Sequence, residues 1–200
     1  MLEDQAELTA WTSVLQFGRI FQNMTSTKSV IPAKWRAQLA RPASLYGISS
    51  WSYTVLGLFV LAQARDCPRS LPGATSHACL PAELEALLVI VQGALSFMAD
   101  VWNIGRPSLF HCLDRSSAVC LVCAQLLKFG SATLPAGEVL FVWSSLAVSL
   151  LCKLMSGRAI AAGSAVSFAR WHLCWHFSLP ALMISYHWWR WRFSEVACVR

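Results

Sequence analysis

Apolar runs of about 20 residues recur along this chain, set apart by short stretches that carry Pro, Gly and charge. A run of that length matches the hydrocarbon thickness of a bilayer. There a backbone must satisfy its own N–H and C=O groups, which a helix does within one segment. Composition points the same way: 56% of residues are hydrophobic and 13% charged, against about a quarter charged in a soluble domain. The pattern predicts an all-α, multi-pass transmembrane helix bundle of about five spans, with six or seven as the alternative counts. The spans are expected at about 45–64, 83–101, 113–133, 138–155 and 166–189, inside a bundle covering 45–192. Residues 1–44 are then an N-terminal cytosolic tail and 193–200 a C-terminal tail.

The net charge of +6 does not point to nucleic acid, because the basic residues sit at the ends of apolar runs, as orientation signals do. With five spans and a cytosolic N-terminus, ten of the 16 Lys and Arg fall on the cytosolic side, among them Lys28, Lys34, Arg36, Arg106 and Arg170. The chain starts acidic (Glu3, Asp4, Glu7) and lacks the basic beginning of a secretory signal peptide. Leu8, Trp11, Val14, Leu15 and Phe17 recur at near-helical spacing, which reads as a surface-lying amphipathic helix or else a poorly ordered tail. Asn23-Met24-Thr25 is a glycosylation sequon that stays unmodified on the cytosolic side. Cys67 and Cys79 share one loop and either pair in an oxidising lumen or remain thiols. The expected residence is an endomembrane (ER or Golgi) or the plasma membrane.

Polar groups at membrane depth mark the candidate site. The last apolar run reads RWHLCWHFSLPA from Arg170 and places His172 and His176 one helical turn apart. Two imidazoles so spaced can share a metal ion, or donate hydrogen bonds to neighbouring helices. Between Leu87 and Gly137 the only acidic residues are Asp100 and Asp114. Asp100 follows Ser96 by one turn, and His111 precedes Asp114 by three positions. Chain parity brings the end of span two, the start of span three and the start of span five to the same side. The alternatives are salt bridges, Asp100 to Arg106 and Asp114 to Arg115 or Arg170.

This set resembles the membrane hydrolase superfamily of alkaline ceramidases and progestin/adipoQ receptors, whose members show Ser-xxx-His, then Asp, then HxxxH on the last helix. Ser96 and the His172/His176 pair match, whereas Asp100 stands where a His is expected and His111 where the Asp is expected. The resemblance implies a zinc ion held by His111, His172 and His176. Asp100 would be general base or fourth ligand, Ser96 would hydrogen-bond the water or oxyanion, and Asp114 would orient His111. Three imidazoles with one open position make a catalytic rather than a structural zinc site. The expected activity is hydrolysis of an amide or ester bond in a membrane lipid, ceramide-like by the resemblance, with Trp171 and Trp175 beside the acyl passage or serving interfacial packing.

The rival expectation is a non-catalytic membrane receptor or scaffold whose buried His and Asp serve helix packing. A transporter using the same groups as a proton relay is a third. Cys120 and Cys123 read as buried small residues rather than a redox pair, and Cys112 and Cys174 as packing groups. His77 and His187 fall away from the cluster by parity. No phosphate-cradling loop, nucleophile elbow or nucleotide fingerprint is present in the sequence.

Overall fold

The computed structural model describes residues 22, 24–40, 44–66, 81–131 and 134–198, without side chains at 191 and 193–198. The segment from Leu8 to Phe17, Asn23, Cys67, Cys79 and His77 lie outside the described residues. A 3-10 turn at Ala33–Trp35 leads into two short helices, α1 (Arg36–Leu39) and α2 (Leu45–Ser49). The longer elements are α3 (Ser52–Asp66), α4 (Ala82–Phe97), a π-helical turn at Met98–Trp102, α5 (Leu109–Ser131), α6 (Ala136–Ala161) and α7 (Ala165–Cys198). Among the described residues there is no strand, and the fold is all-α. Three segments are long and apolar enough to cross a bilayer: Leu45–Arg65, Ala82–Trp102 and Ala136–Ala161. α5 and α7 have the length, but their apolar runs are diluted by Asp114, Arg115 and Lys128 in one and by Arg170 and the histidines in the other.

The stretch between the spans expected at 138–155 and 166–189 is largely helix. α6 continues to Ala161 because its stop signal is Gly163, at φ +71°. There the Ser164 N–H reaches back to the Ala159 carbonyl (3.0 Å) and the Gly163 N–H to Ile160 (3.0 Å), the hydrogen-bond pair of a Schellman cap. Ser164 then caps the next helix, its Oγ accepting from the Ser167 N–H at 3.3 Å. So tight a turn makes α6 and α7 antiparallel neighbours. Their seam is visible in the buried positions of α6: Val142, Ser145, Ser149, Cys152, Ser156 and Ala159. These alternate steps of three and four with small side chains, which lets two helices approach closely without a hydrophobic driving force between them. Ser149 Oγ meets Ser178 Oγ of α7 at 3.0 Å. Farther along, Glu138 at the start of α6 accepts from Tyr186 Oη and Arg190 Nη1 of α7, both at 2.5 Å.

α3 and α4 approach through glycine. A Cβ at Gly57 would lie 2.6 Å from the Ala86 carbonyl oxygen, and one at Gly93 would lie 2.9 Å from the Thr54 nitrogen. The row of neighbours in space is therefore α6, α7, α3, α4, α5. Its two ends, α5 and α6, follow one another in sequence yet pack chiefly on α4 and α7.

The segment read from sequence as a tail is in part a plug. Ile31, Trp35 and Leu39, four residues apart, are buried with Tyr46, Val101, Ile104, Ala159 and Phe168 at one end of the bundle. Arg115 of α5 holds this segment by donating to the Ser26 and Lys28 carbonyls. Gly105 (φ +69°) makes the facing turn, and its backbone comes close to Ala33. Its N–H donates to Ser29 Oγ at 3.1 Å.

Candidate metal centre

Three elements converge on the centre: the π turn, α2 with the start of α3, and the first turns of α7. The π turn exists because the Asn103 N–H bonds the Met98 carbonyl five residues back (3.0 Å), reinforced by Asn103 Nδ2 on the same oxygen at 2.7 Å. One extra residue per turn re-aims the side chains around Asp100, and such turns recur at functional sites. Asp100 Oδ2 lies 2.9 Å from His172 Nε2 and 3.6 Å from His176 Nε2. The ring centres of the two histidines are 4.3 Å apart. Both imidazoles are buried, and the Asp100 side chain is 13% exposed.

His176 is fixed from both ends. Pro180 stands inside α7 and has no N–H for the His176 carbonyl four residues back. The hydroxyl of Ser52, at the start of α3, donates to that carbonyl instead at 2.5 Å. On the ring side, Ser49 Oγ donates to the Tyr46 carbonyl at 2.7 Å and lies 3.4 Å from His176 Nδ1. With its proton committed to Tyr46, Ser49 accepts from Nδ1–H, which leaves the Nε2 lone pair of His176 facing the Asp100 carboxylate. In that tautomer the two acceptors, 3.6 Å apart, repel one another, and either a proton on Nε2 or a metal cation between them relieves the repulsion. His172 is packed between Tyr46 (5.3 Å between ring centres) and Phe168 (5.0 Å). Its Nδ1 is buried and has no partner among the described residues.

The donor atoms of Asp100, His172 and His176 all lie within 4.8 Å of one another, so this group can hold a metal ion. In a tetrahedral zinc site with bonds near 2.0–2.1 Å, neighbouring donors are about 3.3 Å apart. The measured 2.9 and 3.6 Å bracket that separation.

The structure brings Ser96, Asp100, Asp114 and His176 to the wall of one cavity of about 490 Å³, with His172 behind Asp100. It does not bring His111 there. His111 Nε2 lies 2.9 Å from the Arg106 carbonyl and 3.2 Å from that of Asn103, so this ring fastens the turn between α4 and α5. Asp114 does not orient it: Asp114 Oδ1 accepts from Gln92 Nε2 at 2.7 Å. Asp100 takes the place among the donors that the resemblance gave to a third histidine. Lys153 of α6 also reaches the cavity, its Nζ 5.5 Å from the ring centre of Trp175.

Cys120 and Cys123, expected to be buried, are exposed on α5. Cys123 is at the cavity wall and Cys120 is not. Cys112 and Cys174 are outside the donor group. Sequence reasoning missed Ser49, Ser52 and Gln92. Only Pro180, which frees a carbonyl, signals in sequence that a donor like Ser52 is needed.

Next to the centre the cavity wall is apolar, with Leu56, Val60, Leu126, Leu179 and Met183 among the residues that all five long helices contribute, before polar residues return at its far end. The faces turned away from it are apolar as well, with Leu58, Leu87, Leu127, Leu140 and Leu151 exposed. That arrangement suits a bilayer rather than water. Comparison with family models, curated proteins and solved structures finds no match for this chain.

Proposed function

We propose that this protein is a zinc-dependent integral-membrane hydrolase acting on an amide or ester bond of a membrane lipid. The observation that carries the proposal is a two-His, one-carboxylate donor group at the head of a long apolar cavity. That donor set is shared with catalytic zinc sites that keep an open position. A zinc ion there would supply Lewis-acid activation of water and of a substrate carbonyl. Around it, Asp100, His172 and His176 are the holding residues. Ser96 lies one turn before Asp100 and places its hydroxyl on the same wall to stabilise a developing oxyanion. Asp114, steadied by Gln92, is the carboxylate left to accept a proton. A cavity of about 490 Å³ falls within the roughly 300–1,000 Å³ of small-molecule pockets. The resemblance in Ser96 and His172/His176 to alkaline ceramidases supports a ceramide-like amide as substrate class.

The test is metal content of the detergent-purified protein, followed by turnover on a ceramide-like lipid. Wild type and His111→Ala are expected to carry one zinc per chain, and Asp100→Asn and His172→Ala none. Iron in place of zinc would retire hydrolysis, because two histidines and a carboxylate also serve iron(II) oxygenases. Absence of any metal after zinc is supplied would overturn the proposal.

A second reading, a non-catalytic receptor or scaffold, is favoured by one observation. Metal-bound histidines give their second ring N–H to an acceptor, whereas His172 Nδ1 has none among the described residues. In that reading His172 Nε2–H donates to Asp100 and fastens α7 to the π turn. Asp100→Asn would then lower the melting temperature of a protein whose stability zinc does not change.

A further inference from the structure

The cavity has a second polar end. Glu85 of α4, Gln125 of α5 and His187 of α7 line it far from Asp100. Glu85 receives Lys128 Nζ on both oxygens, at 3.0 and 2.8 Å, and Gln125 Nε2 on Oε1 at 2.6 Å. The Glu85 charge is thus matched within the protein, and this end offers no net charge to a ligand. His187 is 5% exposed, and its Nδ1 has no hydrogen-bond partner among the described residues. Nδ1 itself is closed off from the cavity that the ring lines, so a ligand group reaches it through a turn of the ring and then removes the standing penalty of an unsatisfied nitrogen at this depth.

Distance along the helices sets what can reach it. Asp100 and Glu85 are 15 residues apart on α4 and the turn that ends it, about 22 Å at the helical rise. His176 and His187 are 11 residues apart on α7, about 16 Å. One leaflet of a bilayer core is about 15 Å thick, so a single long acyl chain bridges the two ends. Between them the wall is apolar, with Val60 and Met183 on it.

We propose that the cavity reads both ends of its ligand, and that His187, beside the Glu85–Lys128 pair, binds a hydroxyl at the far end of a long-chain neutral amphiphile. A hydroxyl both donates and accepts, so it satisfies Nδ1 in either tautomer. A terminal carboxylate would add an unmatched charge beside Glu85, and a terminal methyl would leave Nδ1 bare. The proposal rests on the lipid occupancy argued above, with the head at Asp100, His172 and His176, but not on a metal being bound.

The experiment measures binding of radiolabelled palmitoylethanolamide and its ω-hydroxy derivative to the full chain in phosphatidylcholine nanodiscs, with metal removed by chelation. Wild type is expected to prefer the ω-hydroxy form about tenfold, the worth of one buried hydrogen bond. His187→Leu keeps the apolar volume of the wall and is expected to bind both forms equally. Equal affinities in wild type would overturn the proposal and leave an ordered water as the partner of Nδ1. A preference that survives His187→Leu would overturn it too. Because metal is absent throughout, neither outcome depends on whether the zinc assay succeeds.

Discussion

The carbonyl of His176 shows how one residue's backbone chemistry is repaired by another helix. Pro180 removes the N–H it would have received, and the Ser52 hydroxyl takes over at 2.5 Å. Ser52→Ala is therefore expected to cost about 1 kcal/mol of stability, and to cost nearly nothing in a Pro180→Ala background where the helical bond is restored. Thermal unfolding of the four proteins in one detergent checks this coupling. A second residue-scale expectation concerns Glu85. Truncating it to Ala leaves Lys128 buried without its carboxylate and is expected to destabilise by about 3–5 kcal/mol. The double change Glu85→Met with Lys128→Met is expected to recover most of the loss, read from the same unfolding curves. At this scale the sequence was legible where spacing along one helix decides. His172 with His176, and Ser96 with Asp100, face together because they are one turn apart. His111 was not legible, since its partners are the carbonyls of Asn103 and Arg106, which meet the ring only once the turn has closed.

Elements follow the apolar runs closely, because helix is the economical answer for such a run in lipid. Their ends are less legible. α6 outlasts its strongest apolar stretch and stops at Gly163, and α7 continues past Trp189 to Cys198. The π turn carries no distinctive composition, since it arises from the Asn103 side chain and backbone both closing on Met98. Deleting Ala99 would restore an ordinary helical register and rotate Asp100 away from the histidines. If the proposed zinc is bound, the expected result is its loss with helicity by circular dichroism unchanged. The α3–α4 contact depends on absent side chains. At Gly93 even a Cβ would come within 2.9 Å of the Thr54 nitrogen and 3.2 Å of the Ser50 oxygen. Gly93→Leu is expected to cost upward of about 3 kcal/mol through backbone displacement, whereas Gly157→Leu, with open space at its Cβ, is expected to be silent. Melting temperatures of the two variants compare directly.

At the scale of the molecule, no sequence period encodes the order of neighbours. α5 and α6 are joined by a short link yet pack chiefly on α4 and α7, and they meet again only where Phe129, Val142 and Tyr186 cluster. That order follows from where small residues permit close approach, the Gly57/Gly93 contact for α3 with α4 and the serine seam for α6 with α7. The plug of Ile31, Trp35 and Leu39 was equally hidden, because its three apolar positions read as a tail until the surface that receives them is built. Trp35→Ala is expected to remove about 3–5 kcal/mol and to speed proteolysis at residues 26–40 before any cut in the helices, which a time course with mass analysis resolves. The plug also imposes an order on biosynthesis. Its receiving surface includes Val101, Ile104, Ala159 and Phe168, so the first described segment to leave the ribosome is among the last to settle. Until α7 has been made Trp35 lacks Phe168 from its seat, and the nascent chain must carry a partly exposed indole for that long.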